Sequence, residues 1–174
     1  MSNLDNLHLD KSKVYVAFTS GTTIPSRLIM WFTYSKYSHS CLIHWSDQWN
    51  GWLALGAESG GWIYTPIEHN GVVDMFELPV DLWPTLQKYR TVLSSSYDFR
   101  GVLGMTMVEL FRHWFKRKVR NLFLVRGSWF CSEIVTKILQ DAGLTLAISP
   151  GESDSEVLKN QLVKVPGVLQ VSLK

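Results

Sequence analysis

HSCLIHWSDQWNGWLALGAE (His39–Glu58) decides how this chain folds. Two runs rich in β-branched, aromatic and other apolar residues, His39–Trp45 and Trp52–Glu58, flank the polar turn Ser46–Gly51, which reads as an antiparallel hairpin. Partners in such a ladder keep a constant sum of residue numbers, so the pairing that sets Trp45 against Trp52 also sets His39 against Glu58. Directly opposed side chains share a face, with Cβ atoms about 4.5–5.5 Å apart. A carboxylate beside an imidazole fixes its tautomer and stabilises the imidazolium, which is the base-and-orienter half of a catalytic triad. The inference needs an unbroken ladder. Gly56 could host a bulge that would turn Glu58 to the other face.

Outward from the hairpin, Lys13–Ser20, Gly60–Ile67 and Gly71–Pro79 read as further strands. Ser26 is a plausible N-cap for a short helix carrying Leu28, Ile29, Trp31 and Phe32. Leu82–Ser95, with Pro84 near its first turn, and Tyr97–Asn121 read as helical. Cys131–Gly143 is the clearest helix: Ile134, Val135, Ile138 and Leu139 form one apolar stripe, and Gly143 supplies the stop. Residues 145–174 carry Gly and Pro punctuation and end on a strand-like stretch, GVLQVSLK. The class is α+β, with a central antiparallel sheet packed with helices. Residues 1–12 are expected to be a flexible leader and 13–174 one domain.

Composition bounds the function. A chain of 174 residues is long enough to bury about 70% of its unfolded surface. Apolar residues make up 46% and charged residues 18%, and a net charge of +2 does not imply nucleic acid. The basic residues cluster in one segment and no nucleic-acid-binding motif accompanies them. The two cysteines, Cys41 and Cys131, give no disulfide framework and read as reduced thiols. The opening MSNLDNLHLDKSK has no signal-peptide core, and no window approaches the roughly 18 apolar residues of a membrane span. That suggests a cytoplasmic setting. The eight Trp suit either core packing or an aromatic-lined cleft.

SWFCSEIVTKIL (Ser128–Leu139) carries the chemistry in question. At the first turn of a helix, the dipole and the free N–H groups favour a thiolate and can hold an oxyanion. Free cysteine is also among the most buried residue types. Cys41, in mid-strand, fits packing. His39 alone fits a structural histidine, and Glu58 alone a loop carboxylate. The residues leave Cys131 open between packing and nucleophile.

Four segments in order, SRLIMWFTYSKYSHSCLIHW (26–45), ALGAESGGWIYTPI (54–67), SYDFRGVLG (96–104) and SWFCSEIVTKILQDAGL (128–144), resemble the circularly permuted NlpC-type papain-like cysteine amidases. These are the YiiX-like proteins, with lecithin:retinol acyltransferases as more distant kin. The order histidine, acid, cysteine is the permuted one, and the resemblance covers Val14–Leu144. It implies a permuted papain-like fold with Cys131 as nucleophile, His39 as general base and Glu58 as the residue that orients it. Glu58 follows Ala57, whereas the family's acid often precedes an alanine, and Ser59 is its nearest rival. His44 falls one register off His39 and has no assigned role, and Glu133 is expected to serve the helix start. The implied chemistry is acyl transfer through a thioester, without cofactor or metal; the Cys and His spacings match no zinc motif.

The same resemblance implies either peptide amides of peptidoglycan or acyl groups of lipids as substrate. A cell-wall amidase without an export signal would be phage-encoded and virion-associated, or injected. VELFRHWFKRKVRNLFLV (Val108–Val125) gathers Leu110, Phe111, Trp114 and Phe115 with Arg112, Lys116, Arg117 and Arg120 around them. It reads either as a membrane-surface helix or as a core helix with a solvated basic edge. A third expectation is a non-catalytic virion module that uses its Trp-rich surface for assembly.

Overall fold

A computed structural model describes residues 7–58, 61–66, 71–90 and 131–173 of the chain. The helical region expected over 97–121, and the basic segment 108–125, lie outside the described residues. The elements run β1 (Val14–Thr19), α1 (Ile24–Thr33), β2 (His39–Ser46), β3 (Gly51–Glu58), β4 (Gly61–Pro66), β5 (Val72–Glu77) and α2 (Trp83–Arg90). They continue with α3 (Cys131–Asp141), a 3-10 turn (Pro150–Glu152), α4 (Ser155–Leu162) and β6 (Leu169–Val171). The class is α+β, built on one antiparallel sheet in the order β4-β3-β2-β1-β5-β6.

The first strand in the chain is thus an inner strand, between β2 and β5. Its sequence VYVAFT suits that place, because neither side of it meets water. Val14, Val16 and Phe18 join Leu42, Leu55 and Phe76 in the larger core, against Ile134, Val135, Ile138 and Leu139 of α3. Tyr15 and Ala17 join Cys41, Ile43, Trp52 and Met75 in a second core on the opposite face. Leu7 and Leu9 pack against that second core, and Lys11 Nζ sits 3.6 Å from the Trp45 ring centre.

The hairpin has the expected register: Trp45 opposes Trp52, and the described pairs run from Ser46↔Gly51 to Leu42↔Leu55 without a slip. The β3–β4 ladder is equally regular through Gly56↔Ile63, so Gly56 hosts no bulge on that side. The irregularity lies instead between Phe18 and Thr19, which pair with Asp74 and Val72 and leave Val73 unmatched.

Two expectations need correcting. The first helix begins at Ile24, with Thr23 rather than Ser26 as its N-cap; Thr23 Oγ1 accepts from the Ser26 N–H at 3.3 Å. Pro25 then fits the first turn, where its missing N–H costs nothing. The tail holds a helix that the Gly and Pro punctuation hid: Asp154 caps α4 by accepting from the Val157 N–H at 2.7 Å. Leu158 and Leu162 of α4 lie one turn apart and are fully buried in the larger core.

Candidate active site

α3 is described from Cys131 on, and the first N–H groups of a helix have no partner within it. The apolar stripe holds α3 on β2 and sets its N-terminus beside the first residues of that strand. Two ties hold the helix to the turn that follows: Ser132 Oγ donates to the Ser153 carbonyl at 2.5 Å, and Thr136 Oγ1 meets Ser153 Oγ at 2.7 Å. Glu133 lies buried in the first turn, where a carboxylate favours the positive end of the dipole.

His39 and Cys131, 92 residues apart in sequence, are neighbours here. Burial pushes the Cys131 thiol up. The charge of His39 opposes it, as do the hydrogen bonds that the His39 side chain and the Ser40 backbone and hydroxyl offer to the ionised sulfur. Together they bring the thiol down to about 7. Cys131 is thus a half-buried thiol with a raised thiolate tendency, whereas Cys41 is buried in the second core.

The His39 ring lies over β3 at Gly56. A Cβ built there would stand 2.6 Å from His39 Nε2 and 3.4 Å from Cys41 Cβ. The space that the imidazole uses is the space of the missing side chain. The glycine that read as a bulge candidate in sequence thus makes room for the His39 ring.

The four residues leading into His39 are tied down one by one. Ser35 Oγ accepts from the Tyr37 N–H at 2.9 Å and donates to Glu156 of α4 at 3.2 Å. Ser38 Oγ accepts from the Gly21 N–H at 2.8 Å, and the Ser38 N–H donates to the Thr19 carbonyl at 2.8 Å. Tyr37 packs its ring on Phe18 and donates its hydroxyl to Asp74, which also pairs with Lys36 Nζ at 3.0 Å and accepts from Gln170 Nε2 at 2.6 Å. Burial, and then the Asp74 hydrogen bond, push the Tyr37 hydroxyl up to about 12. Burial alone would raise the Asp74 carboxyl, but the Tyr37 and Lys36 hydrogen bonds outweigh it and hold the group below the usual carboxylate range.

This cluster predicts its own pH dependence. Asp74→Ala strands the Tyr37 hydroxyl and the Gln170 amide, and is expected to cost about 3 kcal/mol, or a Tm lower by roughly 8 °C. Because the folded carboxyl titrates below the unfolded one, its contribution is complete above about pH 4 and is lost as the pH falls through the folded value. Thermal melts of both proteins should show the gap at pH 7 closing toward pH 2.

The other expected site residues fall out as follows. The Glu58 side chain and Ser59 lie outside the described residues. His44 sits buried away from the site, its Nδ1 at 2.9 Å from the Trp45 carbonyl oxygen and its ring edge-on to Trp83 at 5.0 Å. Sequence reasoning missed Ser40, Gly56 and the Tyr37–Asp74 pair. For Gly56 alone a signal existed, a glycine two residues before the candidate acid. Compared with known proteins, the chain matches no protein-family model and no curated protein.

Proposed function

We propose that the chain is a papain-like cysteine hydrolase of the permuted NlpC type, an amidase or peptidase working through a thioester. The observation that carries this is the Cys131–His39 pair at the start of α3, with the thiol brought down to about 7. Cys131 gives its proton to His39 and attacks the carbonyl carbon of an amide or ester. The N–H groups at the helix start face the developing oxyanion, and His39 returns the proton to the leaving group. Water then attacks the thioester with His39 as base, releasing the acid and restoring the thiol. Continued three residues past its described pairs, the β2–β3 register would set Glu58 opposite His39, in the place of the third triad member.

Peptide amides of peptidoglycan are the substrate class that the resemblance implies, in a phage-encoded or injected setting, cytoplasmic or virion-associated. Among the described residues no helix is long and apolar enough to cross a membrane. A second reading, a lipid-directed esterase or acyltransferase of the same fold, has an observation of its own. Ile24, Leu28 and Trp31 share one face of α1, the helix that precedes β2, and are 76%, 46% and 64% exposed. An exposed apolar face of this kind suits contact with a lipid surface.

The test is alkylation with iodoacetamide across a pH series, with each thiol mapped by mass. Cys131 is expected to label with a midpoint near pH 7, below the roughly 8.5 of a free thiol, and far faster than Cys41. Labelling no faster than in the denatured chain would sink the enzyme reading and leave a non-catalytic module. Peptidoglycan and a labelled phospholipid, digested side by side with Cys131→Ala as the blank, separate the two substrate classes.

A further inference from the structure

Ser40 is fully buried, and its hydroxyl oxygen has no hydrogen-bond partner of proper geometry among the described residues. A buried hydroxyl left in that state costs stability and calls for a reason. The β1–β2 ladder fixes its place: Ser40 opposes Phe18, one residue after the base, and strand alternation puts it with Leu42 and His44 on the helix-facing side. The group it approaches there is the sulfur of Cys131, at the N-terminus of the helix packed on β2. A neutral thiol is a poor acceptor, whereas a thiolate takes a charge-assisted hydrogen bond readily.

We propose that Ser40 is a catalytic donor for the reaction proposed above, with its Oγ–H turning to Cys131 Sγ when the sulfur becomes an anion. The step balances simply. The S–H bond breaks, its proton forms an N–H bond on the His39 imidazole, and Ser40 keeps its own proton while sharing it with the thiolate. The hydroxyl is unpartnered in the thiol state and partnered in the thiolate state, so its cost at rest becomes a gain on ionisation. The depressed thiol is consistent with this, with Ser40 acting beside His39. The titratable side chains in the first turns of the elements packed here are Glu133 on α3, Glu152 on the 3-10 turn and Glu156 on α4, while Lys137, Asp141 and Lys159 lie further along their helices. The three in the first turns are carboxylates, which would raise a neighbouring thiol rather than lower it.

The experiment is the alkylation series on wild type and Ser40→Ala, with a thermal melt of each. The variant's Cys131 midpoint is expected to rise by about one pH unit, which lowers its labelling rate at pH 7 by about fivefold. Its Tm is expected to stay level or increase, since an unpartnered buried hydroxyl has been removed. That pairing of outcomes separates a donor to the thiolate from a structural hydroxyl. An unmoved midpoint overturns the inference, and so does a lowered Tm or a variant that does not fold, because either would show that the hydroxyl holds the fold. If wild-type Cys131 itself labels no faster than in the denatured chain, the hydrolase reading fails first, independently of Ser40.

Discussion

His39→Ala is expected to lower hydrolysis by about 10³-fold and to push the Cys131 labelling midpoint above that of a free thiol, about 8.5. Both effects come from one contact. In the folded protein burial drives the thiol upward, and His39 is the largest opposing influence. Without the imidazole, Ser40 alone stands against desolvation, so the sulfur stays protonated further into the alkaline range. In the proposed reaction the same substitution removes the proton acceptor for attack and the donor for the leaving group. A rate-against-pH profile would show the low-pH limb moving upward as the ceiling falls. A midpoint that stays near 7 would mean that the thiolate owes its stability to something other than the base.

Gly56→Ala is expected to lower hydrolysis by about 10²-fold, the scale of displacing a catalytic group by an ångström, with little change in stability. The added methyl would stand 2.6 Å from His39 Nε2, closer than atoms tolerate, and the neighbouring Cys41 Cβ at 3.4 Å leaves little room to yield. The imidazole is the part that can move, by turning about its own side-chain torsions. The sheet can therefore stay intact while the imidazole leaves its place, and alanine in place of glycine even limits the unfolded chain slightly. Melting temperature, activity and the labelling midpoint should be read together. Loss of activity with a level Tm and a raised midpoint is the expected pattern. Unchanged activity would show that the ring does not work from this position.

What was legible in the sequence was local. The hairpin could be registered because Trp45, Trp52 and the polar turn between them lie within a few residues of one another. Helix α3 could be read because its stripe repeats at helical spacing. The inner position of β1 was not legible, since it depends on pairing with β5, more than fifty residues on. Nor was the Asp74 cluster, whose members Lys36, Tyr37 and Gln170 share no period and meet through tertiary packing. Helix α4 was hidden by Pro150 and Gly151, which shape the 3-10 turn ahead of it rather than the helix.

The site shows the same division. Cys131 and His39 were nominated through the order of four short segments, and their contact is a property of the fold. Ser40 and Gly56 carry no motif. One matters through a hydrogen bond it lacks and the other through an atom it lacks, and neither leaves a mark on residue type. The Thr23 cap was missed because Ser26, three residues on, is an equally good capping residue by type; only the Pro25 position favours the earlier start.

The Gln170 bond to Asp74 has a consequence in time. A ribosome adds about 5–20 residues each second, so the 92 residues between His39 and Cys131 separate the emergence of the two side chains by roughly 5–20 s. His39 emerges when β1 is the one described strand ahead of it. The thiol arrives later, and the strand carrying Gln170 later still, closing on the carboxylate that anchors the segment ahead of His39. Of the described elements, the strand carrying Gln170 therefore emerges last, and its bond to Asp74 forms only after both His39 and Cys131 have left the ribosome.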